Sequence, residues 1–331
     1  MIKKARKWAL GGLAGLGLGQ TAIACAFHGY IPDPTLVDLL LATEHVVVAR
    51  VDPSDPSRYA PIEALLGPQT QTIPIAVDPT TRARLDGQVA NTVLLARDGA
   101  YGPWVELAVL DAGFRTVVDH VMARQTSWVL GRDPDRLTLF ASYVNDPNPD
   151  MRSLALQELD RAPYAALQAL RLPEIQNLST DLVNGDADLR PIRILLAGLS
   201  KDQNYSEFLS QELDAAIQSE KPYLGAYATA LIELEGKSAA RDIIDRVQTQ
   251  DDLSVGARIK LLEALALQHK NAPAPTRRVI SHGLTTMLQS SPELRDTILG
   301  QFGFAGRWGA TQSATGAGQA TSLGNTSETD R

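Results

Sequence analysis

The chain predicts an α+β protein of two domains, a small five-stranded β barrel or sandwich followed by an all-α solenoid of helical repeats. Three observations carry that expectation. Short β-branched runs separated by turn residues fill the stretch from Thr35 to about Val121. Beyond Gly131-Arg-Asp-Pro-Asp135 the texture changes to long amphipathic helices. Within those helices one short pattern returns at near-regular intervals, as stacked supersecondary units require.

Ahead of the first domain, Lys3, Lys4, Arg6 and Lys7 precede an apolar run that starts at Trp8 and ends in Thr21-Ala22-Ile23-Ala24-Cys25. A basic start, a short apolar core and small residues at alternate positions read as an export signal over residues 1–24, cleaved after Ala24. The run from Trp8 to Ala24 is 17 residues long and holds five glycines. A membrane-spanning helix needs about 20 mostly apolar residues, so cleavage rather than anchoring is expected.

Removing that segment takes away four basic side chains and no acidic ones, and the formal charge goes from −7 to −11. Nucleic acid is excluded as an expected partner, because its affinity comes largely from Lys and Arg on phosphates. The single cysteine leaves no internal disulfide. Stability must come from burial, for which 44% apolar residues suffice.

Ala22-Ile23-Ala24-Cys25 resembles the bacterial lipobox, in which small residues precede a cysteine that is acylated and becomes the new N-terminus. The resemblance implies a lipoprotein facing the periplasm, touching a membrane only through lipid on Cys25. Ala22 stands where Leu is usual. The alternatives are plain cleavage before Cys25, or cleavage after Ala26 that discards the thiol. An unmodified Cys25 offers an amine and a thiolate, and with His28 three residues on it makes a ligand set for copper or zinc.

In the first domain, residues 25–130, Leu36 to Leu41 makes one or two helical turns. His45 to Val51 is a β-branched run ended by Asp52-Pro53, and Tyr59 to Leu66 is closed by Gly67-Pro68. Thr70 to Val77 alternates and stops at Asp78-Pro79; Thr92 to Arg97 and Trp104 to Leu110 complete five strands. Five short strands at this spacing predict a small barrel or sandwich. A helix from Asp111 to Met122 packs on it. The order of Ala42 to Val51, Ile62 to Gly67 and Asn91 to Arg97 resembles netrin-like modules of the oligonucleotide-binding-fold type, and that likeness implies the barrel shape only.

The second domain, residues 131–303, opens with helices at Leu137 to Val144 and Met151 to Arg161, the latter capped by Asp150. Asp150-Met-Arg-Ser-Leu-Ala-Leu156 then compares with stretches beginning at Asp188, Tyr223, Ser254 and Glu293, spaced 38, 35, 31 and 39 residues apart. An acidic residue, an apolar one and Arg opening the second helix of a pair resemble HEAT repeats. The resemblance implies helix pairs that shield one another's apolar faces and offer a long concave surface to partners. Arg152, Arg190 and Arg295 read as structural, bonding turn acids of their own or adjacent repeats, with a binding stripe as the alternative. The Gly/Ser/Thr-rich stretch 304–331 buries too little to fold and is expected to be a disordered tail.

No catalytic signature is present. The sequence lacks His-Glu-x-x-His, Gly-x-Ser-x-Gly, a P-loop, a Rossmann glycine pattern and Cys-x-x-Cys. Asp119-His120 and Glu44-His45 are neighbours in sequence, which sets no useful geometry. Trp104, Trp128 and Tyr143 read as core, with an aromatic ligand cleft as the alternative. The expectation is therefore an exported, non-enzymatic cell-envelope protein without a cofactor, whose partner is another protein engaged through a helical-repeat surface. The alternative is a metal-handling protein using Cys25 and His28.

Overall fold

The structure, a computed structural model, describes residues 32–86, 90–99, 101–131, 135–219, 222–250 and 252–302. The stretch read as an export signal, residues 1–24, with Cys25, His28 and the stretch 304–331 expected to be a tail, lies outside the described residues. The chain is mixed α+β and divides into two compact units, Pro32–Asn177 and one that begins at Leu178.

The first unit is built on a five-stranded antiparallel sheet of β1 (His45–Val51), β2 (Arg58–Leu66), β3 (Ile73–Ala76), β4 (Thr92–Arg97) and β5 (Val105–Leu110), in the order β3-β2-β1-β4-β5. It is a curled half-barrel, not the closed barrel or the sandwich expected. Register shifts in β1–β2 at Val46/Val47 and Val48/Ala49, and in β4–β5 at Leu94/Leu95, supply the curl, since a bulge bends its strand and sharpens the twist. The edge strand β3 is short because Pro74 has no N–H for a ladder.

A hydrogen bond spans the open side. Tyr59 on β2 donates its hydroxyl to Glu106 Oε2 on β5 at 2.6 Å, and Thr81 donates to Glu106 Oε1. Thr81 belongs to α2 (Pro79–Leu85), a helix that begins where Asp78-Pro79 is expected only to end a strand. Asp78 is its N-cap, accepting from Thr80 N–H at 2.8 Å, and Pro79 sits at the first helical position, where its missing N–H costs nothing. The half-barrel encloses Val47, Ala49, Tyr59, Ile73, Val77, Val93, Leu95 and Trp104. Alternation sends Val46, Val48 and Leu94, also buried, to the other face.

Flanking the sheet are α1 (Leu36–Ala42) and α3 (Ala112–Val129), which contact each other. Thr35 and Asp38 close a reciprocal capping box on α1. The helices α4 (Arg136–Ala141), α5 (Pro149–Asp160) and α6 (Tyr164–Ala169) belong to this unit as well. Side-chain bonds tie α4 and α5 to the sheet unit. Arg136 reaches Asp38 at 2.8 Å, Asn148 Nδ2 reaches Asp111 Oδ2 at 2.6 Å, and Arg84 pairs with Asp150. Asp150 is not the cap of α5; Asn148 is, accepting from Asp150 N–H at 2.8 Å, with Pro149 at the first helical position.

The second unit is helical: α7 (Leu178–Asn184), α8 (Arg190–Leu199), α9 (Ser206–Ser219), α10 (Leu224–Glu235), α11 (Lys237–Thr249), α12 (Val255–Asn271), α13 (Ala274–Ser290) and α14 (Arg295–Gln301). The compared stretches beginning at Asp188, Tyr223, Ser254 and Glu293 open α8, α10, α12 and α14, the second and third keeping only the apolar and small positions, and these helices contact in succession, α8 with α10, α10 with α12, α12 with α14. Between them in the chain come α9, α11 and α13; α11 contacts α13, and Arg246 of α11 pairs with Asp214 of α9. Helices α8 and α10 approach very closely: a β-carbon on Gly198 would stand 2.5 Å from the Ala230 carbonyl oxygen. Gly236, at φ +66°, turns α10 directly into α11 without a loop.

Candidate functional site

Around α1, α4 and α5 four charged side chains interlock. Arg136 donates from Nε to Glu158 Oε2 at 2.6 Å and from Nη2 to Glu158 Oε1 at 3.1 Å, while Nη2 also reaches Asp38 Oδ1 at 2.8 Å. Arg161 Nε reaches Asp38 Oδ2 at 2.7 Å. Glu158 is only 2% exposed. A cleft of ≈ 480 Å³ opens beside this quartet, its other wall formed by Leu137, Ala162, Pro163 and Ala166.

Burial pushes the Glu158 carboxyl above its ordinary value, and the hydrogen bonds and charge of Arg136 pull it only partly back. Burial also pulls Asp38 up, but bonds from Arg136 and the Thr35 N–H, with the charges of Arg136 and Arg161, outweigh it and leave it low. For Arg136, burial opposes the charge and the two carboxylates more than reverse that. Two cations thus face two anions, and Arg161 Nη1 donates in addition to Pro32 O at 2.9 Å and Asp33 O at 3.3 Å. The quartet locks three helices together and leaves no charge over for a ligand. Its members come from distant parts of the chain, so spacing does not reveal it. One signal was readable: Glu158 falls inside the apolar stripe of α5, between Leu154, Ala155 and Leu159.

Of the histidine and aromatic candidates in the first unit, His45, Trp104 and Trp128 are buried, while His120 and Tyr143 are half-buried. Arg97 Nη2 lies 2.9 Å from His45 Nδ1, and since a guanidinium only donates, Nδ1 accepts and Nε2 carries the proton toward Pro68 O at 2.7 Å. Trp104 packs on the same pair, 5.0 Å from the His45 ring and 5.0 Å from the Arg97 guanidinium carbon. Asp119 bonds Arg115 at 2.8 Å, and His120 Nδ1 faces Arg124 at 3.2 Å. Trp128 is buried and donates to Asp135 at 3.2 Å, whereas Tyr143 is half-buried.

The recurring arginines have one shared task. Arg152 donates to the carbonyls of Asp146 and Pro147 at 2.6 and 3.0 Å, Arg190 to Val183 O at 3.2 Å, and Arg295 to Leu288 O at 3.4 Å. Arg258, at the fourth unit, donates to Gln250 O at 2.7 Å. Each reaches back to carbonyls left open where the preceding helix or its turn ends, the groups that cations favour there. Their partners are carbonyl oxygens, where the sequence reading named turn acids, and no stripe of free guanidinium groups results.

Ala24, Cys25 and His28, the lipidation and metal candidates, lie outside the described residues. Among the described residues no group of three or more His, Cys, Asp or Glu side chains is placed to hold a metal ion, and no helix is long and apolar enough to cross a membrane. Comparison with protein-family models, with characterised proteins and with solved structures returned no match.

Proposed function

We propose that this protein is an exported, non-enzymatic cell-envelope protein that binds another protein through its second unit, a HEAT-like array of helical hairpins. The observation that carries the reading is the succession of α8, α10, α12 and α14, three of which have in their first turn an arginine that donates to a carbonyl of the preceding segment. Hairpins packed this way repeat one surface, and repeated surfaces serve recognition more readily than chemistry. The lipobox-like segment before Cys25 supports the envelope location.

Burial bears on where a partner would dock. Pro191 to Gly198 of α8 and Leu224 to Ile232 of α10 are all buried, so these helices give a partner nothing to touch. Exposed residues recur along α9, α11 and α13, with further ones at the two ends of α12. A photo-crosslinking residue placed in the full-length chain at Gln211, Asp245 or Thr286, and for comparison at Ile62 or Asp86 of the first unit, tests the proposal in cells. Protein adducts from second-unit positions alone support it; adducts from Ile62 and Asp86 alone, or from no position, contradict it.

A further inference from the structure

The lysines and arginines of the second unit, among the described residues, fall into two classes. Arg190, Arg193, Arg258 and Arg295 donate to main-chain carbonyls, Arg246 holds Asp214 and Asp242, Lys201 holds Glu233, and Lys260 holds Glu263. Among the described residues the remaining five, Lys237, Arg241, Lys270, Arg277 and Arg278, make no hydrogen bond or ion pair, and all five are exposed. They are not scattered. Lys237 and Arg241 are on α11, Lys270 ends α12, and Arg277 and Arg278 open α13.

The packing brings these positions to one region. A β-carbon on Gly236 would stand 3.4 Å from Thr276 Oγ1, which puts Lys237 and Arg277 each one residue beyond a contact. Further along, Gly283 meets Ile244, so α11 and α13 run side by side in the same direction and Arg241 falls between the two contacts. At the end of α12, His269 Nε2 is 3.0 Å from Ser281 Oγ, and the Arg277 charge, after burial, depresses the His269 imidazole. The opposing charges are few: residues 264–292 contain no Asp or Glu, Asp242 is held by Arg246, and Asp245 is the carboxylate of α11 left over.

Resting on the interaction reading above, we infer that the outer face of α11 and α13, with the end of α12, is a docking surface for an acidic protein segment, its carboxylates gripped by Lys237, Arg241, Lys270, Arg277 and Arg278. Five uncompensated cations stand out on a chain whose net charge is −7, and like charges are kept together against their repulsion only at a cost that a counter-charged ligand removes. Three of the five are arginines, whose planar forks match carboxylates in pairs of hydrogen bonds. A lipid surface fits less well, because none of the exposed large apolar side chains lies on α11 or α13 to enter a bilayer. Further along α13 the exposed hydroxyls already donate to their own helix, Thr285 to Ser281 O and Thr286 to His282 O, and keep oxygen lone pairs for a partner's N–H groups.

The test titrates the full-length protein with fluorescein-labelled oligoglutamate by anisotropy, alongside Arg277→Glu/Arg278→Glu and a charge-matched control, Arg50→Glu/Arg171→Glu, in the first unit. Expected are saturable binding that weakens with added salt, a loss of about tenfold in the α13 variant and less than about twofold in the control. Unchanged melting of the α13 variant, whose altered groups are exposed, separates this loss from unfolding. Absence of oligoglutamate binding overturns the proposal, as does equal loss in both variants. Binding to phosphatidylglycerol vesicles with none to oligoglutamate overturns it in favour of a membrane. Those results leave the interaction reading standing if cross-links still form at Gln211.

Discussion

Removing Arg136 should unbalance the first unit more than any other single charge change. Arg136→Met leaves Glu158, 2% exposed, without the bonds at 2.6 and 3.1 Å that compensate its burial. An ionised carboxylate stranded in that way costs about 3–5 kcal/mol. At roughly 3 °C per kcal/mol for a unit of this size, the corresponding transition should fall by about 10 °C. The double variant Arg136→Met/Glu158→Leu removes both charges and fills part of the volume, so it should recover most of the loss. Calorimetry of the full-length protein is the suitable assay, since two units need not melt together. A cost below about 1 kcal/mol for Arg136→Met, or a double variant as unstable as the sum of its singles, would refute the argument that the quartet is a buried, mutually compensating lock.

Acid should loosen the same region through Asp38, whose folded value lies below the ordinary 3.8. A lowered carboxylate contributes stability that is present above its unfolded value and is lost as pH falls through the folded one, so melting temperature should drop below about pH 3.8, and Asp38→Asn should flatten that limb. Glu158 acts in the opposite sense, its raised value favouring the fold at low pH and losing that contribution as pH rises, so Glu158→Gln should steepen the acid limb of a melting curve taken against pH. Gly198→Ala forces a β-carbon to 2.5 Å from the Ala230 carbonyl oxygen and should cost about 3 kcal/mol in urea unfolding, more than Gly283→Ala, which meets an Ile244 side chain able to shift. Arg258→Ala should cost about 2 kcal/mol by leaving the Gln250 carbonyl without its charged donor, whereas Lys at that position should recover part of it. Mass spectrometry of the protein from native membranes should find residues 1–24 removed; an intact Met1 terminus would contradict export.

Strands and helices whose signals are local were legible. His45 to Val51 and Thr92 to Arg97 form β1 and β4 with the boundaries the β-branched runs imply. Thr70 to Val77 shrinks to Ile73–Ala76 because Pro74 spoils its ladder, and α2 was missed because Asp-Pro, read as a stop, is equally a cap followed by a first helical residue. The same ambiguity hid Asn148 behind Asp150. What no spacing shows is the joining of distant polar groups. Tyr59 with Glu106 closes the half-barrel's open side, and Arg136 with Asp38 carries α4 and α5 into the first unit. The recurring arginines were visible as a pattern, but their carbonyl partners follow from where helices end in space. The five unpaired cations became a feature only once the partners of the other seven were known.

The central claim is that helical hairpins of the second unit lie side by side in regular succession. Oxidation of Ile244→Cys/Gly283→Cys, in a Cys25→Ser background, tests it most directly, because a β-carbon at 283 would meet Ile244 Cγ2 at 2.8 Å and Cγ1 at 3.1 Å, within disulfide reach. The account predicts a quantitative intramolecular disulfide between α11 and α13 in a chain of unchanged helicity. Free thiols after oxidation, or bridges formed only between molecules, would contradict it.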